Sequence, residues 1–471
     1  TPFPPTIPMI AERIKDNMSI HELILSGKDI DSVQQCEEVD FNARDCSGDT
    51  ALHLAAARGL DSWVDFLLQK VDLDAQNNLG ISAAMVAAKH KNYNILKKLL
   101  DNHASVKLVN SSNQSVLHYA AAAGCERCVQ IILKNKPKVN LQDKEGATAL
   151  LLAAMFSRHN VIRELLDHRA VVRVNPNLAD CHQRSPLHWC AEVGQACSAA
   201  ALIEARADLN TRDDFNDTPV MRTVKRNNVE VFDALVNAGC DRHDIDGLNG
   251  TLLSMAAAFN TPQILQRLID LGDDVDELGY GATAICVGAF IAKPEIVRIL
   301  LEENADPNKV NRMGATPLID CCHRINQHNE LEVHEITRML IRANADPNHR
   351  FINASQYIVL TIGRNCCLSF SLASGYPSLA RMCLIGGSKV SKMDIREWMH
   401  ISEEKCWFEE DDLMRPILEW VNEIRPLAFL CRQKIRQVLG RGVHKKINQL
   451  STPHVITSYL NMEELDYIDV E

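Results

Sequence analysis

The sequence predicts an all-α solenoid of short stacked helix-turn-helix units, followed by a small three-helix module at the carboxyl end. Three observations predict it. A Thr or Ser opening an apolar, often Ala-rich run recurs at Thr50, Ser82, Ser115, Thr148, Ser185, Thr218, Thr251, Thr283 and Thr316, spaced 32, 33, 33, 37, 33, 33, 32 and 33 residues apart. A second apolar stretch follows many of these starts: FLLQ (66–69), KLLD (98–101), IILK (131–134), ELLD (164–167), ILLE (299–302) and MLIR (339–342). The chain has 471 residues, beyond the roughly 250–300 at which a single core stops growing, so an array accommodates it better than one globule.

In chain order, residues 1–9 are Pro-rich and read as a flexible segment, and residues 10–42 read as an amphipathic first unit that caps the array. In each unit that follows, the Thr or Ser hydroxyl is placed to cap the first backbone N–H groups of a helix. The Ala pair lets that helix approach its neighbour closely, and Gly59, Gly124 and Gly194 stand where the chain turns into a second helix. Paired Leu and Ile of the second helix are expected to bury against the next unit. Asp, Asn and Gly then form a projecting, hairpin-like turn. The 37-residue interval marks a small insertion within 172–183. Longer inserted loops are expected at 323–335 and 350–365, before a degenerate last unit at 366–387. The array spans 10–390, about eleven units with its caps.

TALHLAA at Thr50 and SPLHWCA at Ser185, with the 33-residue period and the closing ADLN (207–210) and ADPN (305–308, 345–348), resemble the ankyrin repeat. That resemblance implies an ankyrin-repeat solenoid and a protein-binding role. Phe215, on the turn DDFND, is a candidate partner contact, because an exposed aromatic on a projecting turn suits an interface. Asn216 and Tyr280 are further substrate-binding candidates, and the inserted loops supply others. Asn210, Asn308 and Asn348 each follow a Leu by seven intervening residues. This resembles a pattern modified by an asparaginyl hydroxylase, though for any one site the turn-forming reading of Asn is preferred.

The period stops near residue 390. Residues 391–424 form a connector, acidic at 402–412 and then amphipathic, with Ile417, Leu418, Val421 and Ile424 on one face. In PLAFLCRQKIR (426–436), Leu427, Leu430, Cys431 and Ile435 make one helical stripe, with Arg432, Lys434 and Arg436 off it. Residues 443–450 and 453–460 can form two more short helices. This region, 425–462 before an acidic tail at 463–471, resembles the SOCS box, and the whole chain resembles the ankyrin-repeat-and-SOCS-box family. The resemblance implies that Pro426, Leu427, Leu430, Cys431 and Ile435 bind elongin C, paired with elongin B. It implies that Leu450, Ser451, Thr452 and Pro453 bind cullin-5 with its RING protein. The usual cullin element is Leu-Pro-x-Pro, and Ser451 replaces its first Pro, so weakened cullin binding is expected. The function implied is substrate receptor of a cullin–RING ubiquitin ligase; a plain ankyrin scaffold is the alternative.

Composition narrows the classes further. The net charge is -11 and the sequence pI about 5.9, which leaves no electrostatic footprint for nucleic acid. No apolar run approaches the roughly 18 residues needed to span a bilayer. The opening TPFPPTIPMI lacks the apolar core of a secretory signal, so the 16 cysteines are read as reduced thiols of a cytoplasmic, or also nuclear, protein. No cofactor and no metal are expected. Cys125-x-x-Cys128, Cys181-His182 with His188-x-Cys190, and Cys321-Cys322-His323 are read as repeat packing in place of zinc ligation. Cys431 has no paired base to activate it, so the chain is read as a non-catalytic adaptor. GRG (440–442) is a turn, because the phosphate-loop pattern is absent. The basic run 432–446 is read as solvated or as the rim of an interface. Tyr119 and Trp189, at the Leu54 position of their repeats, are read as core packing.

Overall fold

A computed structural model describes residues 20–25, 40–167, 174–326, 328–349, 367–368, 371, 376–388, 435–436 and 447. The expected flexible start (1–9), the inserted loop 350–365, the connector 391–424 and the tail 463–471 lie outside the described residues. So does the SOCS-box region except Ile435, Arg436 and Ile447. The chain divides into two compact units, Thr1–Asp241 and Arg242–Glu471.

In the first unit a short helix, α1 (Ile20–Leu25), precedes helix pairs. These are α2 (Ala51–Arg58) with α3 (Asp61–Leu67), α4 (Ala83–Lys89) with α5 (Tyr93–Asp101), and α6 (Val116–Ala123) with α7 (Glu126–Lys134). Then come α8 (Ala149–Met155) with α9 (His159–Asp167), α10 (Pro186–Val193) with α11 (Ala196–Glu204), and α12 (Pro219–Arg226) with α13 (Val229–Asn237). First helices pack on first helices and second on second along the row. The first helices do so through small buried pairs: Ala55-Ala56, Ala87-Ala88, Ala120-Ala121, Ala153-Ala154 and Cys190-Ala191. The second helices bury one face each, such as Ile95, Leu96, Leu99 and Leu100 of α5. Burying each such side chain stabilises by about 1.5–3 kcal/mol, which the exposed polar face cannot supply.

The second unit repeats the plan. It has α14 (Leu252–Ala258) with α15 (Pro262–Asp270), a minimal hairpin of β1 (Leu278–Gly279) and β2 (Ala282–Thr283), and α16 (Ala284–Phe290) with α17 (Pro294–Glu302). Next are α18 (Pro317–His323) with α19 (Glu330–Arg342), and finally α20 (Pro377–Ile385). Gly288 of α16 takes the small-residue position, where a Cβ would stand 2.9 Å from Ile296 Cγ2. Cys321 and Cys322 occupy the Ala pair of α18 and are fully buried, and burial pushes the thiols of Cys190, Cys286 and Cys321 up to about 12. Cys190, Cys321 and Cys322 pack as small apolar groups, as their positions in the repeat predict.

Most helix starts follow the capping expectation, and some extend it, whereas the Thr218 and Thr283 hydroxyls are buried without a hydrogen-bond partner among the described residues. Ser82, Thr148, Ser185, Thr251 and Thr316 each accept a backbone N–H three residues on. At Thr50, Ser115 and Ser185 a His three residues later closes a reciprocal box. His53 Nδ1 accepts the Thr50 N–H at 3.2 Å, and His118 and His188 do the same for Ser115 and Ser185 at 3.1 Å. With Nδ1 accepting, Nε2 carries the proton. It donates across to the next repeat, to Ile81 O (2.8 Å), Ala147 O (3.2 Å) and Asp217 O (3.0 Å) respectively. One imidazole thus caps its own helix and ties two repeats. Gly59, Gly124 and Gly194 end their helices at φ of 75°, 81° and 82°, the left-handed conformation glycine adopts without penalty.

One expectation is corrected. The insertion 323–335 is not all loop, because α19 begins at Glu330 and is 13 residues long. Glu330 and Glu332 stand in its first turn, favourable to the helix dipole, and Val333, Ile336 and Leu340 are buried along one face. The extra residues lengthen the second helix at its amino end. His334, in the added turns, donates from Nδ1 to Glu330 O (2.6 Å) and accepts from the Ser378 hydroxyl of α20 at Nε2 (2.7 Å).

Candidate functional site

The projecting turns are built by one side-chain device. Asp213 Oδ1 accepts the backbone N–H of Phe215 (2.9 Å) and of Asp217 (3.0 Å), which folds DDFND on itself. Asn216 takes the left-handed conformation at φ 63° that closes such a turn. The Asp214 N–H bonds to His182 O (3.1 Å), linking this turn to the one before. The same accepting pattern serves Asn77, Asn110, Asp143, Asp180 and Asn311 in their turns.

A second layer braces the turn against the first helix that follows it. Arg222 of α12 donates from Nε to Asp213 Oδ2 (2.9 Å) and also contacts Asp217 (3.3 Å), and Lys225 Nζ pairs with Asp217 at 2.6 Å. Both carboxylates are buried, and the Arg222 guanidinium lies 5.4 Å from the Phe215 ring centre. Phe215 itself is 69% exposed. It is an apolar side chain held out on a rigid, ion-locked base.

The brace recurs at nine-residue separation. Trp189 donates its indole N–H to Asp180 Oδ2 (3.3 Å), Asn110 donates to the Tyr119 hydroxyl (2.8 Å), and Asn311 donates to Asp320 (3.0 Å). Tyr119 and Trp189 are therefore half-buried struts under the turns, and Trp189 keeps the core packing read from the sequence as well, against Ala147, Leu151 and Leu152. Their polar atoms need a partner once desolvated, and the turn's Asp or Asn supplies it. Burial pushes Asp320 up to about 7, with the Asn311 bond opposing the shift. Beside these struts lies a groove of about 620 Å³, lined by Tyr119, Leu152, Met155, Phe156 and Trp189 among others. Met155 and Phe156 are exposed within it, and the Arg184 guanidinium stacks on Trp189 at 4.1 Å.

The other residues singled out in the sequence lie as follows. Tyr280 is half-buried at φ 57°, its hydroxyl donating to Asp246 (2.8 Å) and its ring where a Cβ on Gly250 would fall. The asparagines bridge neighbouring repeats. Asn210 Oδ1 accepts from Asp241 N (2.9 Å), Asn308 donates to Asn344 O (3.1 Å) and accepts from Asp346 N (2.6 Å), and Asn348 donates to Gly387 O (3.1 Å). Among the described residues no group of three or more His, Cys, Asp or Glu is placed to hold a metal ion. No described helix is long and apolar enough to cross a membrane.

At the carboxyl end, Pro426, Leu427, Leu430, Cys431 and Leu450 to Pro453 lie outside the described residues. Ile435 is 41% exposed, whereas Arg436 is fully buried. Its guanidinium donates to Ile341 O (3.0 Å) and to Arg342 O, at the end of α19. For Arg436 the reading of the basic run as solvated or as the rim of an interface is corrected here. Carbonyls at the carboxyl end of a helix carry partial negative charge, so they draw a cation in even where, as at Ile341 O, a backbone N–H is already accepted. Sequence reasoning missed this because Arg436 was placed only by its position off the apolar stripe.

Comparison with known proteins adds the following. Residues 9–110, 117–213 and 253–351 match the family model for ankyrin repeats, and residues 423–461 match that for the SOCS box. The chain is 27% identical over 199 residues to neurogenic locus notch homolog protein 1 of Xenopus tropicalis, covering 39% of this chain and 8% of that protein. It is 28% identical over 198 residues to neurogenic locus notch homolog protein 2 of Homo sapiens, covering 38% and 8%. Ankyrin repeat domain-containing protein SAT10 of Stachybotrys chartarum is 26% identical over 275 residues, covering 57% and 14%. The chain thus spans only 8% to 14% of the length of these relatives.

Proposed function

This chain belongs to the ankyrin-repeat family and carries a SOCS box near its carboxyl end, and from that membership we propose that it is the substrate-recognition subunit of an elongin B/C–cullin–RING ubiquitin ligase. The observation that carries the reading is the SOCS-box match at 423–461, after repeats whose role is protein binding. The ankyrin array holds the target. Leu427 and Cys431 anchor a short helix in the groove of elongin C, with Pro426, Leu430 and Ile435 around them. The exposure of Ile435, one residue from a fully buried Arg436, supports a stripe left open to a partner. Leu450, Ser451, Thr452 and Pro453 meet the cullin, and the cullin is cullin-5.

The chain needs no nucleophile in this scheme. A target lysine is brought near a thioester carried by another protein, and the gain is effective concentration. Phe215 and Asn216 are the first contacts proposed for the target, with Tyr280 a further one. The cytoplasm, and also the nucleus, is the proposed setting.

Co-expression with elongins B and C tests the reading. The wild-type chain is expected to co-purify with both, and Leu427→Ala or Cys431→Ala to weaken the association about thirtyfold, the loss of one ~2 kcal/mol anchor. Absence of association, or association indifferent to both changes, would leave a plain scaffold. Titration of the receptor–elongin complex with cullin-5 tests the finer claim: Ser451→Pro is expected to raise the affinity, and an unchanged affinity refutes the role given to Ser451.

A further inference from the structure

Most described cysteines of the array are buried and three are exposed, but Cys125 and Cys128 stand at the start of one helix with their sulfurs together. Cys125 is the N-cap residue of α7, and its Sγ accepts the Cys128 backbone N–H at 3.4 Å. The two sulfurs are in direct contact, with Sγ to Sγ only 2.6 Å apart. No other unit places two cysteines at these positions. Cys125 is half-buried and open to a small reagent, whereas Cys128 is buried behind it.

We propose that Cys125 and Cys128 form a reversible redox modification site, with Cys125 the attacking thiol and Cys128 the resolving one, and a small-molecule disulfide as the oxidant. The first step is exchange. Cys125 Sγ, as thiolate, attacks one sulfur of the disulfide, a new S–S bond forms, and the other half leaves as a thiolate. In the second step Cys128 Sγ attacks Cys125 Sγ. Its proton passes to the departing thiolate, and the intramolecular disulfide remains. Two protein thiols are oxidised and one external disulfide is reduced to two thiols, so electrons and protons balance.

Local chemistry favours the assignment of roles. The hydrogen bond between the two thiols, then the Cys128 backbone N–H and the charges of Lys91 and Arg127, hold the Cys125 thiol down at about 6, against burial, which opposes them. Its bond to Cys125, and then burial, hold Cys128 in the thiol form. The contrast with Cys190, Cys286 and Cys321, all pushed up to about 12, separates a reactive pair from packing residues within one repeat family.

The test uses the full chain, folded and reduced, with glutathione disulfide as the probe. Trypsin cuts after Arg127, so the bridge would join peptide 108–127 to peptide 128–134. The expected result is that linked pair by mass spectrometry, formed without denaturant and dissolved by excess reduced glutathione. Cys128→Ser is expected to trap glutathione on Cys125, and Cys125→Ser to leave Cys128 unmodified. The exposed Cys46, Cys181 and Cys197 report that the reagent is active. If these three take up glutathione while no linked pair forms, or if the pair forms only in urea, the proposal is overturned. Failure of Cys128→Ser to hold glutathione on Cys125 overturns the order of attack.

Discussion

Arg436 and Ile341 stand 95 residues apart in the chain, yet the guanidinium of one donates to the carbonyl of the other at 3.0 Å. Arg342 O accepts from the same nitrogen, and the arginine has no exposed surface. This is the described connection between the SOCS-box region and the helices of the second unit. A buried cation is tolerated here because two terminal carbonyls of α19 meet it.

Arg436→Ala removes the cation, while Ile341 O keeps the Asn344 N–H at 3.0 Å. The expected loss is about 1–3 kcal/mol in all, that of a lost hydrogen bond from a charged group. Thermal unfolding should begin at a lower temperature, and proteolysis should reach residues 425–462 sooner. An unchanged melting curve and cleavage rate would show that the contact carries no stability. Arg436→Lys is expected to recover only part, since an ammonium does not reproduce the planar fork.

Arg222 and Phe215 should separate stability from recognition. Arg222→Ala leaves Asp213 and Asp217 buried with a lost partner, a change that costs about 3–5 kcal/mol in comparable sites. Lys225 still pairs with Asp217, so the lower part of that range is expected. Phe215→Ala, at an exposed position, is expected to leave the urea midpoint unchanged while reducing crosslinking of the receptor to its targets in cells treated with a proteasome inhibitor. A fall in midpoint for Phe215→Ala, with crosslinking intact, would reverse the assignment.

The bridging histidines predict acid sensitivity. Burial lowers the pKa of His53, His118 and His188, the bond from each Nε2 to the next repeat opposing it. The unfolded chain therefore binds protons that the folded chain does not, once the pH falls below the ordinary histidine value of about 6.5. Their full contribution is present above that value and is lost as pH falls from it through the lower folded values. Urea unfolding of the first unit, followed by pulsed hydrogen–deuterium labelling of peptides within 40–241, should show a lower midpoint at pH 5.5 than at pH 7.5. His53→Gln with His118→Gln should flatten that difference, and a slope left intact would exclude these imidazoles as its source.

Gly194→Ala tests the repeat turn. The residue sits at φ 82°, and a Cβ would stand 2.7 Å from Oδ1 of Asn228, whose amide already bonds to Ala191 O at 2.6 Å. The left-handed conformation alone costs a non-glycine residue about 1–2 kcal/mol. Gly239→Ala meets no atom within 4 Å at a similar φ of 83°. It should therefore cost only the conformational part, and the urea midpoints of the two variants should fall in that order.

What the sequence by itself determined is whatever repeats. The period, the Thr or Ser caps, the small pair that admits Cys190 and Cys322, and the glycines at 59, 124 and 194 are local requirements, each met within a few residues, so each leaves a readable pattern. Tertiary structure alone decided where long side chains end. Trp189 and Tyr119 have core-like identities, yet they prop the turns, because an indole N–H and a phenol must keep a polar partner when half-buried. The stretch 330–335 reads as insertion but is helical, because α19 finds α17, α18 and α20 to pack on. Arg436 reads as a surface charge and is buried, because the carbonyls that draw it in belong to a helix 95 residues away. Short-range periodicity records what a segment needs of its neighbours in the chain. It carries no record of which distant polar atoms will lie beside it once the repeats have stacked.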